Sequence, residues 1–196
     1  MSVRTRILVV DDDSLVLRLA KRLLRPLDMD VLTAGSTDDA LIELDAGPVS
    51  LVDSFELEDI CNPIAGFCLS ASNKSGSNLL YSKKPIEELD GATIAAATAD
   101  TTTRMLFEVL LAEKYNGKPG SYVQMAEEHD AFVISGDDAL RRRRGSRGYS
   151  HRYDLGEEWH TMTNLPFIFA RWMGRKEMTE DETLLVEDTL YVGLED

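Results

Sequence analysis

RYDLGEEWHTMTNLPFIFARW, running from Arg152 to Trp172, is the most informative stretch of this 196-residue chain. It reads as a short strand from His151 to Leu155, a Gly-Glu-Glu turn, a helical turn carrying Trp159, and then Asn164-Leu165-Pro166. The apolar run Phe167-Ile168-Phe169-Ala170 behind the proline has the length of one buried strand. Two tryptophans, a proline and a strand pattern this close together suit a packed core crossing or one wall of a ligand site. Residue types alone leave both readings open.

Around that stretch the composition is that of a globular chain, 43% hydrophobic and 29% charged, long enough for one large domain or two small lobes. A net charge of -14 argues against nucleic acid or an anionic membrane as partner. An anionic ligand would have to be attracted by local devices such as helix N-termini. Part of the acidity is local, since residues 177–196 hold eight acids and no Lys or Arg. Cys61 and Cys68 are too few for a disulfide scaffold or, with three histidines elsewhere, a zinc site. With no signal-peptide pattern and no membrane-length apolar window, the expectation is a cytoplasmic protein. The oligomeric state is not legible.

The chain opens with a β-α-β-α-β pattern. Ile7–Val10 reads as a central strand, followed by Asp11-Asp12-Asp13 and an amphipathic helix from Ser14 that Pro26 closes. Asp30–Ala34 is a second strand, Ser36 or Thr37 caps a helix through Leu44, and Val49–Val52 is a third strand. Farther on, strands are expected at Phe67–Ser70, Asn78–Ser82, Thr93–Ala97, Ser121–Met125 and Ala131–Ile134. Helices are expected from Asp100 through Tyr115, from Gly136 into the arginines at 141–144, and from Glu180 to Leu194.

Three stretches suit a small anion. Thr101-Thr102-Thr103 opens a helix, where backbone N–H groups and hydroxyls favour a carboxylate, although capping alone accounts for one threonine. Ser75-Gly76-Ser77 is a hydroxyl-rich turn, and Gly136-Asp137 a strand-to-helix turn. All lie at strand ends, where α/β sheets place ligands. His129, His151 and His160 lack metal-ligand spacing, and no Ser-His-Asp pattern or nucleotide-binding glycine loop is present.

Two resemblances follow. The first 50 residues resemble the start of a response-regulator receiver domain, in which Asp11 and Asp12 would hold Mg²⁺. The nearest acid to that family's phosphoacceptor position is Asp53. Only 16 residues then separate Asp53 from Ser70, and 13 separate Ser70 from Lys84, too few for the remaining parallel crossovers.

From about Gly47 onward the chain resembles the chorismate dehydratase family of menaquinone biosynthesis. The matching runs are GPVSLVDSFELED (Gly47–Asp59), GFCLSA, GSNLLYSKKPIEEL (Gly76–Leu89), the Thr101 helix start, Gly136–Leu140 and the stretch Arg152–Trp172. The resemblance implies an α/β fold of two lobes like type II periplasmic binding proteins, with substrate held between the lobes. It also implies loss of water from chorismate without a metal or organic cofactor. On it, Ser77 is the substrate-handling serine, Thr101, Thr102 and Thr103 hold a carboxylate, and Gly136 and Asp137 belong to the substrate site. Asn164 and Phe167 line the cleft.

The expected organisation is a first lobe over residues 1–82 on a flavodoxin-like (receiver-like) start, a second lobe over 83–164, and a return crossing over 165–196. That crossing stops short of the family's pattern. The partner is a chorismate-like small carboxylate, with no nucleic acid and no membrane. The rivals are a non-catalytic binding protein for small carboxylates, a chimera of the two families, and a degenerate phosphorelay receiver that uses Mg²⁺ and Asp53.

Overall fold

The computed structural model describes residues 6–10, 14–24, 30–34, 45–96, 100–142 and 144–195. In chain order the elements begin with β1 (Arg6–Val10), α1 (Ser14–Leu24), β2 (Asp30–Ala34), β3 (Ala46–Ser50), α2 (Leu51–Glu56), β4 (Cys61–Ala71) and β5 (Asn78–Ser82). After a 3-10 turn at Ile86–Glu88 come β6 (Thr93–Ala95), α3 (Thr101–Glu113), β7 (Ser121–Val123), β8 (Ala131–Ser135) and α4 (Gly136–Arg142). The series ends with β9 (His151–Asp154), α5 (Leu155–Thr163), β10 (Phe167–Arg175) and α6 (Glu180–Glu195). Two compact units result, residues 1–47 with 173–196, and residues 48–172.

In the first unit β1 and β2 pair in parallel around α1, with Ile7 opposite Val31 and Leu8 opposite Leu32. Leu15, Leu19 and Leu23 recur at the i, i+4 spacing of one helix face and stay exposed. α6 opens with a capping box: the Thr179 amide and hydroxyl donate to the Glu182 carboxylate, and the Glu182 amide donates to the Thr179 hydroxyl. Those bonds hold the Glu182 carboxyl below its ordinary value. Asp11 and Asp12, the Mg²⁺ candidates, and the helix expected up to Leu44 lie outside the described residues.

The third strand differs from expectation. It ends at Ser50, and Val52 and Asp53 belong to α2. The Ser50 hydroxyl donates to Asp53 Oδ2 at 2.7 Å and Ser54 Oγ donates to the Leu51 carbonyl at 2.7 Å, local bonds that favour a helical turn over continued extension. Asp53 therefore sits on a helix rather than at a strand end, and β3 joins a sheet of order β3-β10-β4. The phosphoacceptor reading of Asp53 falls with that placement.

The second unit is organised by a five-stranded sheet of order β7-β6-β8-β5-β9. β6 runs parallel to β7 and β8, whereas β5 is antiparallel to both β8 and β9. Successive side chains of a strand point to opposite faces. Leu80, Ala131 and Val133 accordingly pack with Leu106, Phe107, Leu110 and Leu111 of α3 and with Leu155 of α5. Leu79, Tyr81, Phe132 and Ile134 pack on the other face with Ala139 of α4. Burial on both faces is why β5 and β8 read as unbroken apolar runs.

The Arg152–Trp172 stretch forms β9, the whole of α5 and the start of β10. The single helical turn expected around Trp159 is a nine-residue helix, capped at its N-terminus by Asp154. The expected buried strand alternates instead. Phe167 and Phe169 pack against the core while Ile168 is exposed, because β10 presents one face inward.

Candidate functional site at the edge of the five-stranded sheet

Strand direction gathers the site. β6 and β8 are parallel and end at the same edge of the sheet; antiparallel β5 begins there, and β9 ends there. The register sets Asn78 opposite Ser135 and Leu79 opposite Asp154. Ser75–Ser77, the first turn of α3, the first turn of α4 and Asp154 thus share one edge, where the open ends of α/β sheets hold ligands.

Ser77 is half-buried and bracketed by two anchors. Its carbonyl accepts the Gly136 amide at 2.9 Å. Its hydroxyl receives a long contact of 3.5 Å from Asn78 Nδ2. Among the described residues no acceptor takes the Ser77 O–H, so that donor remains open. Gly136 has φ +61, the left-handed geometry that glycine adopts readily at the step from β8 into α4, and Asp137 beside it is exposed.

Asn78 is buried and passes the network to α3. Its Oδ1 accepts the Thr103 hydroxyl at 2.6 Å. The same hydroxyl lies 2.8 Å from Asp100 Oδ2, and Asp100 Oδ1 accepts the Thr103 amide at 2.8 Å. Asp100 is the N-cap of α3, and its own amide donates to Ser135 Oγ at 3.1 Å. The Thr102 hydroxyl accepts the Val52 amide at 3.0 Å and donates to Ser50 Oγ at 3.2 Å. Two of the three threonines therefore spend their hydroxyls on the protein, and a protein carboxylate already caps the helix. What stays open for a ligand at this N-terminus, among the described residues, is the Thr101 hydroxyl and the Thr101 and Thr102 amides, since Asp100 already takes the Thr103 amide.

The second anchor is Asp154, which is 7% exposed. Its Oδ1 accepts the Ser75 amide at 2.9 Å, the Ser75 hydroxyl at 3.0 Å, and the Gly156 and Glu157 amides at 3.0 and 3.3 Å. Its Oδ2 accepts the Gly76 amide at 2.7 Å. One carboxylate thus caps α5 and holds the Ser75-Gly76 turn. Sequence reasoning passed over both Asp154 and Asn78. The available signal for Asp154 was Asp-Leu-Gly at a strand-to-helix step, an N-cap pattern.

The remaining candidates lie elsewhere. Asn164 is exposed at the C-cap of α5 in left-handed geometry, φ 56, about 15 Å from Asp154 by the helical rise between the two caps. Phe167 packs edge-to-face on Trp159, with centroids 5.2 Å apart. α3 and α5 are tied together away from the site. Glu158 Oε2 accepts Lys114 Nζ at 2.7 Å and the Tyr115 hydroxyl at 2.5 Å. Burial and that hydrogen bond push the Tyr115 phenol above its ordinary value. Among the described residues no cluster of three His, Cys, Asp or Glu is placed to hold a metal. No helix among them is long and apolar enough to cross a membrane.

Solved structures share the fold. Protein AF1704 from Archaeoglobus fulgidus superposes with TM-score 0.54 at 15% identity, over 92% of this chain and 71% of that one. A Wolinella succinogenes protein described as an ABC-transporter binding component, complexed with lysine, gives 0.50 at 13% identity over 98% and 92%. The likeness is one of architecture, and the fold is that of the type II periplasmic binding proteins. A family model described as menaquinone biosynthesis matches residues 40–195. With that match covering most of the sequence, the chain belongs to the menaquinone biosynthesis family.

Proposed function

We propose that this chain acts in the cytoplasm as a chorismate dehydratase-like lyase, with Ser77 handling the substrate at the sheet edge. The observation that carries the reading is the open hydroxyl of Ser77, a residue whose carbonyl accepts the Gly136 amide and whose neighbour Asn78 is tied to Thr103 and, through it, to Asp100. Chorismate is a small dianion. The Thr101 hydroxyl and the Thr101 and Thr102 amides of α3 supply neutral donors for one of its carboxylates. The Gly136-Asp137 turn supplies the neighbouring wall.

Loss of water needs no redox equivalent. A ring proton and the ring hydroxyl leave together as water, and the ring becomes the benzoate of 3-[(1-carboxyvinyl)oxy]benzoate. The step asks for donors aimed at the departing hydroxyl and a site from which bulk water is displaced. Ser77 Oγ–H, which has no acceptor among the described residues, can donate to that hydroxyl. Held by its flanks, it loses little orientation freedom when substrate arrives.

Incubating the purified chain with chorismate and following the product by mass spectrometry tests the reading. The expected result is accumulation of a species lighter by one water. Thermal stabilisation by chorismate without any product would instead favour a non-catalytic carboxylate-binding protein.

A further inference from the structure

We propose that Asp154 is a positioning residue for Ser77, fixing the turn that precedes it and thereby the direction of its hydroxyl. The inference rests on the lyase reading and adds a residue to it.

Capping a helix takes one or two bonds from the cap side chain. Asp154 makes those to the Gly156 and Glu157 amides, and then makes three more to Ser75 and Gly76, which lie far away in sequence. The bond from the Gly76 amide to Oδ2, at 2.7 Å, is the shortest of the five. Gly76 has φ +71, so the turn uses a backbone geometry open to glycine, and its N–H points at the carboxylate. Gly156 completes the fit: a Cβ there would come within 2.9 Å of the Asn73 carbonyl oxygen and 3.0 Å of the Ser75 amide nitrogen. The 73–76 segment lies directly on the first turn of α5 because that side chain is missing.

Ser77 follows immediately. Its own hydroxyl contact is the long one to Asn78 Nδ2, too weak to set a direction. Its orientation is therefore set from both sides, by Asp154 through Gly76 and by Thr103 through Asn78.

Asp154→Asn separates capping from clamping. Asparagine is as good an N-cap as aspartate, and its carbonyl oxygen can keep the Oδ1 bonds. Its amide nitrogen then faces the Gly76 N–H, donor against donor, and that bond is lost. Gly156→Ala perturbs the same turn by bulk without touching a charge.

The test is steady-state kinetics on chorismate with amide hydrogen exchange on the intact chain. Asp154→Asn is expected to melt within about 5 °C of the parent and to lower kcat about 10- to 100-fold with KM changed less than about threefold. Exchange is expected to speed up at Gly76 and Ser77 but not in the first turn of α5. Gly156→Ala is expected to give the same kinetic signature. Unchanged kcat in Asp154→Asn, or a fall that merely tracks the unfolded fraction, overturns the proposal. A parent chain that binds chorismate without turnover overturns the lyase reading first and leaves Ser77 no reaction to be positioned for. The parent arm thus distinguishes the two failures.

Discussion

Helices α3 and α5 both begin at the same sheet edge, and both are capped by aspartate, yet the two caps work differently. Asp100 spends its carboxylate locally, on the amide and hydroxyl of Thr103 three residues on. Asp154 spends most of its capacity on Ser75 and Gly76, 79 and 78 residues away in sequence. One cap finishes a helix, and the other also fastens the Ser75-Gly76 turn to a helix. The pair shows that a helix N-terminus with the composition of an anion site can already hold its anion.

The comparison is broken most severely by Asp154→Ala. Two loop amides and two helix amides lose their acceptor in a largely buried setting, and about 3 kcal/mol of stability should disappear in urea denaturation at unchanged slope. Asp100→Ala should cost less, about 1–2 kcal/mol, since it removes one cap and one hydroxyl contact. Thr103→Val should cost a similar amount by leaving Asn78 Oδ1 without its donor. Because Asp100 and Thr103 touch, their double variant should lose less than the sum of the two. If the Asp100 and Asp154 losses likewise fail to add, the two caps form one unit and the contrast drawn between them is wrong.

Much of the framework was legible before any coordinates. The apolar runs of β5 and β8, the helix opening at Thr101, the Gly136 turn and the helix from Glu180 are local patterns, and they form where residue spacing and capping chemistry place them. The extent of α2 was not legible. Ser50, Ser54 and Asp53 traded a strand for a helical turn through short side-chain bonds that β-type residues such as Val49 and Val52 concealed.

The site was legible as separate pieces rather than as an assembly. Ser77, Thr103 and Gly136 meet because β5 runs antiparallel to β8 while β6 runs parallel to it, and pairing direction is not written in any single strand. Asp154 reads in sequence only as part of the strand from His151 to Leu155; its reach to Gly76 exists only after β9 has paired with β5. Asn164 and Phe167 came from the same stretch as Asp154, but one whole helix separates them from it. Asn164 stands at the C-cap of α5, and Phe167 packs on Trp159.

The most direct test of the account is the turnover of chorismate by Ser77→Ala beside the parent chain, both shown to be folded. Removing a half-buried hydroxyl whose only described side-chain partner is 3.5 Å away should change stability by less than about 0.5 kcal/mol. Loss of a donor aimed at the leaving group should lower kcat by about 100-fold or more. That outcome would place the chemistry at the sheet edge. Equal turnover in the two chains would contradict the assignment of Ser77 and move the reaction away from this site.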